Sequence, residues 1–166
     1  MMREITLSQG LFAIVDDADF DWLAQWKWCA ETKKWGSYVV RNNYKNGRTN
    51  IVRMHRLIMN APKHLQVDHI NGNGLDNRRC NLRLCTNQQN ACNQRPQIRL
   101  TSSKYKGVSW DKTRNKWFVK TKLNGKCFNL GRFDSEIEAA LVYDQKSKEL
   151  FGRFAHLNFS KEQFSV

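Results

Sequence analysis

Asp68 and His69 stand side by side in the run Val67-Asp68-His69-Ile70-Asn71-Gly72-Asn73, followed at a distance by Asn81 and Asn90. Hydrolysing a phosphodiester requires a base that takes a proton from the attacking water. It also requires a cation that neutralises the phosphate oxygens as the 3′ oxygen leaves. An imidazole with an ordinary pKa of about 6.5 suits the first task, and magnesium, which prefers hard oxygen donors, suits the second. His69 is therefore the candidate base and Asp68 a candidate metal ligand. Asn90 can offer an amide oxygen as a second ligand, and Asn81 can tie the intervening loop with hydrogen bonds that fix the histidine. Adjacent side chains of a strand point to opposite faces, so Asp68 and His69 can cooperate only at a strand end where the chain turns. An Asp-His pair alone better fits a surface carboxylate beside an ordinary histidine; the constellation carries the reading.

Those residues must be positioned by the elements around them. His55 to Asn60 reads as a short helix stopped near Pro62, and a turn-rich segment through Gly74, Asp76 and Asn77 leads to Cys80–Leu84. Thr86 can then cap a helix over Asn87–Asn93. The order is strand, long loop, strand, helix. Upstream, Ile5, Leu7 and Leu11 to Val15 alternate as a hairpin through Gly10, and Asp19 can cap a helix carrying Phe20, Leu23 and Trp26 to Trp28. Ser37–Arg41 and Thr49–Met54 flank the turn dipeptide Asn46-Gly47 as a second hairpin. Trp22, Trp26, Trp28 and Trp35 read mostly as core, because a short segment needs bulky residues to bury enough surface.

The succession Asp-His-Ile-Asn-Gly-Asn at 68–73, Asn-Leu-Arg-Leu at 81–84 and Asn-Gln-Gln-Asn at 87–90 closely resembles the HNH endonuclease motif, most strongly that of phage and intron-encoded homing endonucleases. The resemblance implies a ββα-metal fold in which His69 is the general base, Asp68 and Asn90 hold one Mg²⁺ (with Mn²⁺ able to substitute), and Asn81 braces loop and histidine. The motif's name calls for histidine where this chain has Asn90, although one branch of the family carries Asn there. The likeness extends to Ile5–Gly10, Val15–Asp17 and Met54–Ile58, which places His55 and Arg56 close enough in sequence to reach the site. Arg56 is thereby a candidate phosphate contact, with packing as the alternative.

Beyond this lies a second pattern. Tyr105–Trp110 begins one strand, Lys116–Lys122 alternates as another, and Asn124-Gly125 turns into a third at Lys126–Leu130. Alternation puts Trp117, Val119 and Thr121 on one face and Lys116, Phe118, Lys120 and Lys122 on the other. Ser135 and Glu138 have the spacing of a capping box, Ile137, Ala140 and Leu141 recur at helical spacing, and Gly152 is a stop. One face of a three-stranded sheet is thus covered by a helix, and the other, rich in Lys and Arg, is free to enter a major groove. Tyr-Lys-Gly-Val at 105–108, Leu-Gly-Arg-Phe-Asp at 130–134, Glu-Ala-Ala at 138–140 with Tyr143-Asp144, and Ala155 with Leu157-Asn158-Phe159 resemble the DNA-binding domain of the plant Apetala-two/ethylene-response-factor (ERF) regulators. The resemblance implies DNA contacts from Lys106, Trp110, Arg114, Lys116, Lys120, Lys122 and Arg132. Ser109 and Asn129 stand where the plant domains carry Arg or Trp, so the plant target sequence is not carried over.

Charge agrees. Residues 1–40 hold four Lys/Arg against six Asp/Glu, residues 41–132 twenty against three, and residues 133–166 four against six. So concentrated a basic block calls for a polyanionic partner, and double-stranded DNA is the candidate. No apolar run approaches the roughly 20 residues that span a bilayer, and the N-terminus lacks a signal-peptide layout. These features point to a cytoplasmic protein, in a bacterial or phage-infected cell if the resemblance holds, with no membrane and no obligatory protein partner. Five cysteines without a C-x-x-C pair offer no structural zinc site and read as reduced core thiols. The expected organisation is an α+β protein. It comprises a β-rich N-terminal part (1–54), the HNH core (55–93), a linker (94–101) and an ERF-like domain (102–160). The expected function is a metal-dependent DNA endonuclease leaving 5′-phosphate and 3′-hydroxyl ends. A transcriptional regulator with an inactive nuclease domain is the alternative, and a non-specific RNA binder would leave the Asp68–His69–Asn90 set unexplained.

Overall fold

Apolar residues alternating along the first strands decide how the N-terminal half is built. The computed structural model describes residues 1–33, 36–45, 47–93 and 102–159, in two compact units, Met1–Asn90 and Ala91–Val166. In the first unit, β1 (Met2–Thr6) and β2 (Phe12–Asp16) form an antiparallel hairpin, and its turn uses Gly10 at φ +74°. Ile5, Leu7, Ala13 and Val15 all fall inward. Helix α1 (Asp17–Leu23) follows at once and delivers Leu23 to the same core. Trp28 is fully buried there, its indole N–H donating to the Leu23 carbonyl at 2.8 Å. Trp22 and Trp26 pack against this core from its edge, and Trp35 lies outside the described residues.

Three strands come next in the order β3 (Cys29–Lys33), β4 (Gly36–Lys45) and β5 (Arg48–Arg53), each antiparallel to its neighbour. Asn46 of the expected turn lies outside the described residues. β5 runs directly into α2 (Met54–Ile58), whose Met54 and Ile58, one turn apart, are both buried. Strands β6 (Gln66–His69) and β7 (Leu82–Cys85) form a separate antiparallel pair, and α3 (Asn87–Asn93) follows. Helix α3 opens on a capping box: Gln89 N–H donates to Thr86 Oγ1 at 3.2 Å, and Thr86 N–H to Gln89 Oε1 at 2.8 Å.

Asp19 does not cap α1. It lies inside the helix, 3% exposed, and accepts both Nε and Nη2 of Arg79 at 2.7 Å together with the Trp22 indole at 3.1 Å. A buried carboxylate needs such partners, and this one fastens α1 to the residues just before β7.

The second unit is an antiparallel sheet in the order β8 (Val108–Asp111), β9 (Lys116–Leu123) and β10 (Lys126–Phe133), with α4 (Glu136–Phe151) against one face. Asn124 and Gly125, at φ +50° and +79°, make the tight turn between β9 and β10. Ser135 Oγ caps α4 by accepting Glu138 N–H at 3.4 Å, and Gly152 ends it. The expected apolar stripe of α4 is rotated. Ala139, Ala140 and Tyr143 are buried with Val108 and Val119, whereas Ile137 and Leu141 are 56% and 42% exposed. The small alanines allow the helix close to the sheet, and Ile137 or Leu141 would hold it away. Gly107 is needed for the same reason, since a Cβ there would meet the Tyr143 ring at 2.0 Å. Buried Asp144 secures the chain beyond the helix, accepting the Asn158 and Phe159 backbone N–H groups at 2.8 and 2.9 Å.

All five cysteines are free thiols, but only Cys85 is buried, and Cys80 and Cys127 are exposed. They are therefore not a set of core thiols. Among the described residues no helix is long and apolar enough to cross a membrane.

Candidate functional site

Strand β6 ends at His69, and the chain turns immediately, with Gly72 N–H donating to the His69 carbonyl at 2.9 Å. The Asp-His pair therefore sits at a strand end. His69 is 5% exposed, and its Nε2 faces Asn77 Oδ1 at 3.4 Å. His55 of α2 stands edge-on to it with ring centroids 5.1 Å apart and planes at 82°, and Tyr38 of β4 lies 5.9 Å from both rings. Burial pulls the His69 pKa below its ordinary 6.5, opposed by the Asn77 hydrogen bond and by the charges of Asp68 and Asp76. Burial, then His69, Arg53 and Arg56, drive the His55 pKa down to about 3. Both imidazoles are consequently neutral at pH 7 and above, the form in which a histidine can accept a proton.

Asn81 lies just ahead of β7. Its Oδ1 accepts the Asn71 backbone N–H at 3.0 Å, and its Nδ2 donates to the Asp76 carbonyl at 2.8 Å, so it spans both ends of the 71–76 loop. Asp76, 2% exposed, receives Arg78 Nε at 2.8 Å and Nη2 at 2.7 Å and Asn71 Nδ2 at 2.9 Å. Arg78 above all, with Asn71 assisting, holds its carboxyl below the usual carboxylate range against the opposing effect of burial. Gly74 carries the loop across β4, where a Cβ would come within 2.4 Å of the Ser37 carbonyl oxygen and 2.8 Å of Tyr38.

Asp68 and Arg83 are cross-strand partners, and Arg83 Nε and Nη2 both donate to Asp68 Oδ2, at 2.8 and 2.6 Å. Asp68 is 6% exposed and Arg83 9%. Half-buried Asn90 sits on α3, and its side-chain amide makes no hydrogen bond among the described residues. The donor chemistry fits a hard divalent cation: one carboxylate, which would be shared with Arg83, and one uncommitted amide oxygen. No three His, Cys, Asp or Glu side chains cluster as an all-protein cage among the described residues.

The expected DNA contacts divide. Arg56 points into its own loop, donating to the carbonyls of Leu65 (2.8 Å), Ala61 (3.2 Å) and Pro62 (2.9 Å), which is the packing alternative. Lys106 is half-buried, with Nζ on the Cys92 carbonyl at 2.6 Å, and burial lowers its pKa. Trp110 pairs in register with Trp117, so both share the helix side of the sheet with Val119, and their rings stack edge-on at 4.9 Å. Lys116, Lys120 and Lys122 alternate onto the open face with Phe118. Arg132 is paired with Phe118 and covers its ring, with the guanidinium carbon 4.8 Å from the centroid. Asp111 accepts Arg132 at 2.8 Å and lies 3.5 Å from Arg114, and Lys116 reaches Asp134 at 3.0 Å.

Sequence reasoning missed Asn77, Tyr38 and Arg83, and His55 was reached only as a neighbour of the motif. Arg83 had a signal, since a basic residue on the strand after an Asp-bearing strand is a candidate cross-strand partner. Asn77 was hidden among equivalent asparagines of the loop, and Tyr38 had no local signal.

Comparison with known proteins finds two families along the chain. Residues 53–92 match the HNH endonuclease family model, and residues 103–153 match that of the AP2 domain, a DNA-binding domain. A protein of Acanthamoeba polyphaga mimivirus named as an HNH endonuclease is 33% identical over 153 residues, covering 90% of this chain and 76% of its own length. Protein 3.8 of Escherichia phage T7 is 36% identical over 94 residues, covering 57% of this chain and 76% of its own length. No solved structure gives a significant match.

Proposed function

This chain belongs to the HNH endonuclease family, and from that premise we propose that it is a metal-dependent DNA endonuclease of the homing type, with His69 as its general base and its ERF-like domain as the docking module. The observation that carries the reading is a buried, neutral His69 at a strand end beside Asp68, in a chain that also carries an AP2 domain. Functionally the chain divides into a β-rich part (1–54), a ββα-metal core (55–93), a linker (94–101) and the DNA-binding domain (102–160).

His69 takes the proton of a water aligned with the scissile phosphorus. Its lowered pKa keeps it in the accepting form at neutral pH. Asn77 holds one ring nitrogen, and Asn81 keeps the loop that bears Asn77 closed. Asp68 and Asn90 would hold a divalent cation such as Mg²⁺, and such a cation would supply neutralisation of phosphate charge and of the departing 3′ oxygen. Water adds to phosphorus as the P–O3′ bond breaks, and the departing 3′ oxygen takes a proton from solvent, leaving a 5′-phosphate and a 3′-hydroxyl. Lys116, Lys120, Lys122 and Arg132 on the open face bring positive charge to the duplex. The viral relatives support a setting in an infected host cell.

A second reading, a DNA-binding regulator with an inactive nuclease domain, draws on the Asp68–Arg83 ion pair, which engages the proposed metal ligand with a guanidinium. Supercoiled plasmid carrying viral target genes separates the two. A nuclease relaxes the plasmid with Mg²⁺ or Mn²⁺ and not with EDTA, and DNA ligase reseals the nicks directly. A regulator binds one sequence and leaves every plasmid supercoiled.

A further inference from the structure

We propose that His55 is a positioning residue for the reaction inferred above: its ring, stacked edge-on against His69, fixes the orientation of the general base between itself and Asn77. The inference rests on the nuclease reading for its purpose, and the geometry comes from the fold alone. Met54 and Ile58 are sunk in the core, 0% and 3% exposed, and fix the rotation of α2 about its axis. His55, next to Met54, is thereby turned against β6, 6% exposed and 5.1 Å from the His69 ring. Tyr38 touches both rings, so His69 meets two aromatic walls. The Asn77 contact, at 3.4 Å, is at the outer limit of a hydrogen bond. It is a weak restraint by itself, and the two rings add theirs to it.

The ring nitrogens of His55 make no hydrogen bond among the described residues, and Nδ1 is buried. His55 therefore acts by the shape and edge of its ring. Its neutrality, enforced by burial and by His69, Arg53 and Arg56, lets it lie against the base without repelling the proton that His69 takes up. Its ring contact is with the base itself, so it serves through His69.

The test compares full-length wild type, His55→Ala and His55→Phe in Mg²⁺. Displacing a catalytic group by about 1 Å costs roughly 10²-fold, so His55→Ala should cleave about 30- to 100-fold more slowly with unchanged DNA affinity. His55→Phe, which restores an aromatic wall, should recover most of that loss and also serves if the alanine variant folds poorly. Nitrogen-15 spectra of labelled histidine give a readout that needs no cleavage. The His69 ring should show one dominant tautomer in wild type and His55→Phe, and averaged shifts in His55→Ala. An unchanged His69 spectrum in His55→Ala overturns the proposal, as does a phenylalanine variant as slow as the alanine one. Should wild type cleave nothing, the nuclease reading fails, and the spectra still decide whether His55 holds His69.

Discussion

Replacing His55 by phenylalanine should make the first unit less sensitive to acid, and the structure sets the size of the effect. In the fold His55 titrates at about 3, against 6.5 when unperturbed. Between those values the unfolded chain binds a proton that the native chain does not. Stability from this residue is therefore complete above pH 6.5 and is lost as pH falls towards 3. At pH 5 the unfolded imidazole is almost wholly protonated and the native one hardly at all, a loss of about 2 kcal/mol relative to neutral pH. The depressed pKa of His69 acts in the same direction in both proteins and cancels in the difference. Urea unfolding at pH 7.5 and pH 5.0, with the first unit followed by hydrogen exchange in β4 and β6, measures it. Wild type should lose about 2 kcal/mol more than His55→Phe across that interval, close to a 1 M difference in urea midpoint. Whatever the substitution does to packing appears at both pH values and drops out. Parallel losses in the two proteins would refute a buried, neutral His55.

Three other outcomes follow from the same contacts. Arg83→Ala removes the guanidinium that pairs with buried Asp68 and should destabilise the first unit by about 3–5 kcal/mol in urea; a change under about 1 kcal/mol would mean that the pair contributes no more than an exposed one. Gly74→Ala drives a methyl group into the Ser37 carbonyl and Tyr38, so it should cost about 1–3 kcal/mol and slow cleavage while DNA affinity holds, because the loop carrying Asn77 must shift. Changing Lys120 and Lys122 together to glutamine should flatten the salt dependence of DNA binding by about two in log–log slope; an unchanged slope would move the DNA away from the open face.

The candidate site was legible in the sequence because its residues are close together along the chain. Asp68, His69, Asn81 and Asn90 span one strand–loop–strand–helix run, and each contact of Asn81 is with that run itself. Turns and caps were legible for the same reason: Thr86 ahead of α3, Ser135 with Glu138 and Asn124-Gly125 are local interactions. What failed to show is what tertiary packing decides. Asp19 has the composition of a cap, yet its partner Arg79 is 60 residues away. Tyr38 reaches His69 only because β4 passes beneath a loop that Gly74 allows to come close. The apolar spacing of Ile137 and Leu141 suggested the buried stripe of α4, but the close approach of helix to sheet favoured alanines. Trp110 looked like a reader of bases until strand register put it opposite Trp117.

The central claim, that His69 is the base of a DNA endonuclease, is tested most directly by measuring affinity and single-turnover cleavage on the same DNA for wild type and His69→Ala in Mg²⁺. Wild type should cleave, and His69→Ala should bind equally tightly but cleave about 10²- to 10⁴-fold more slowly. Equal cleavage by the two proteins would contradict it, as would tight binding by wild type with no strand broken.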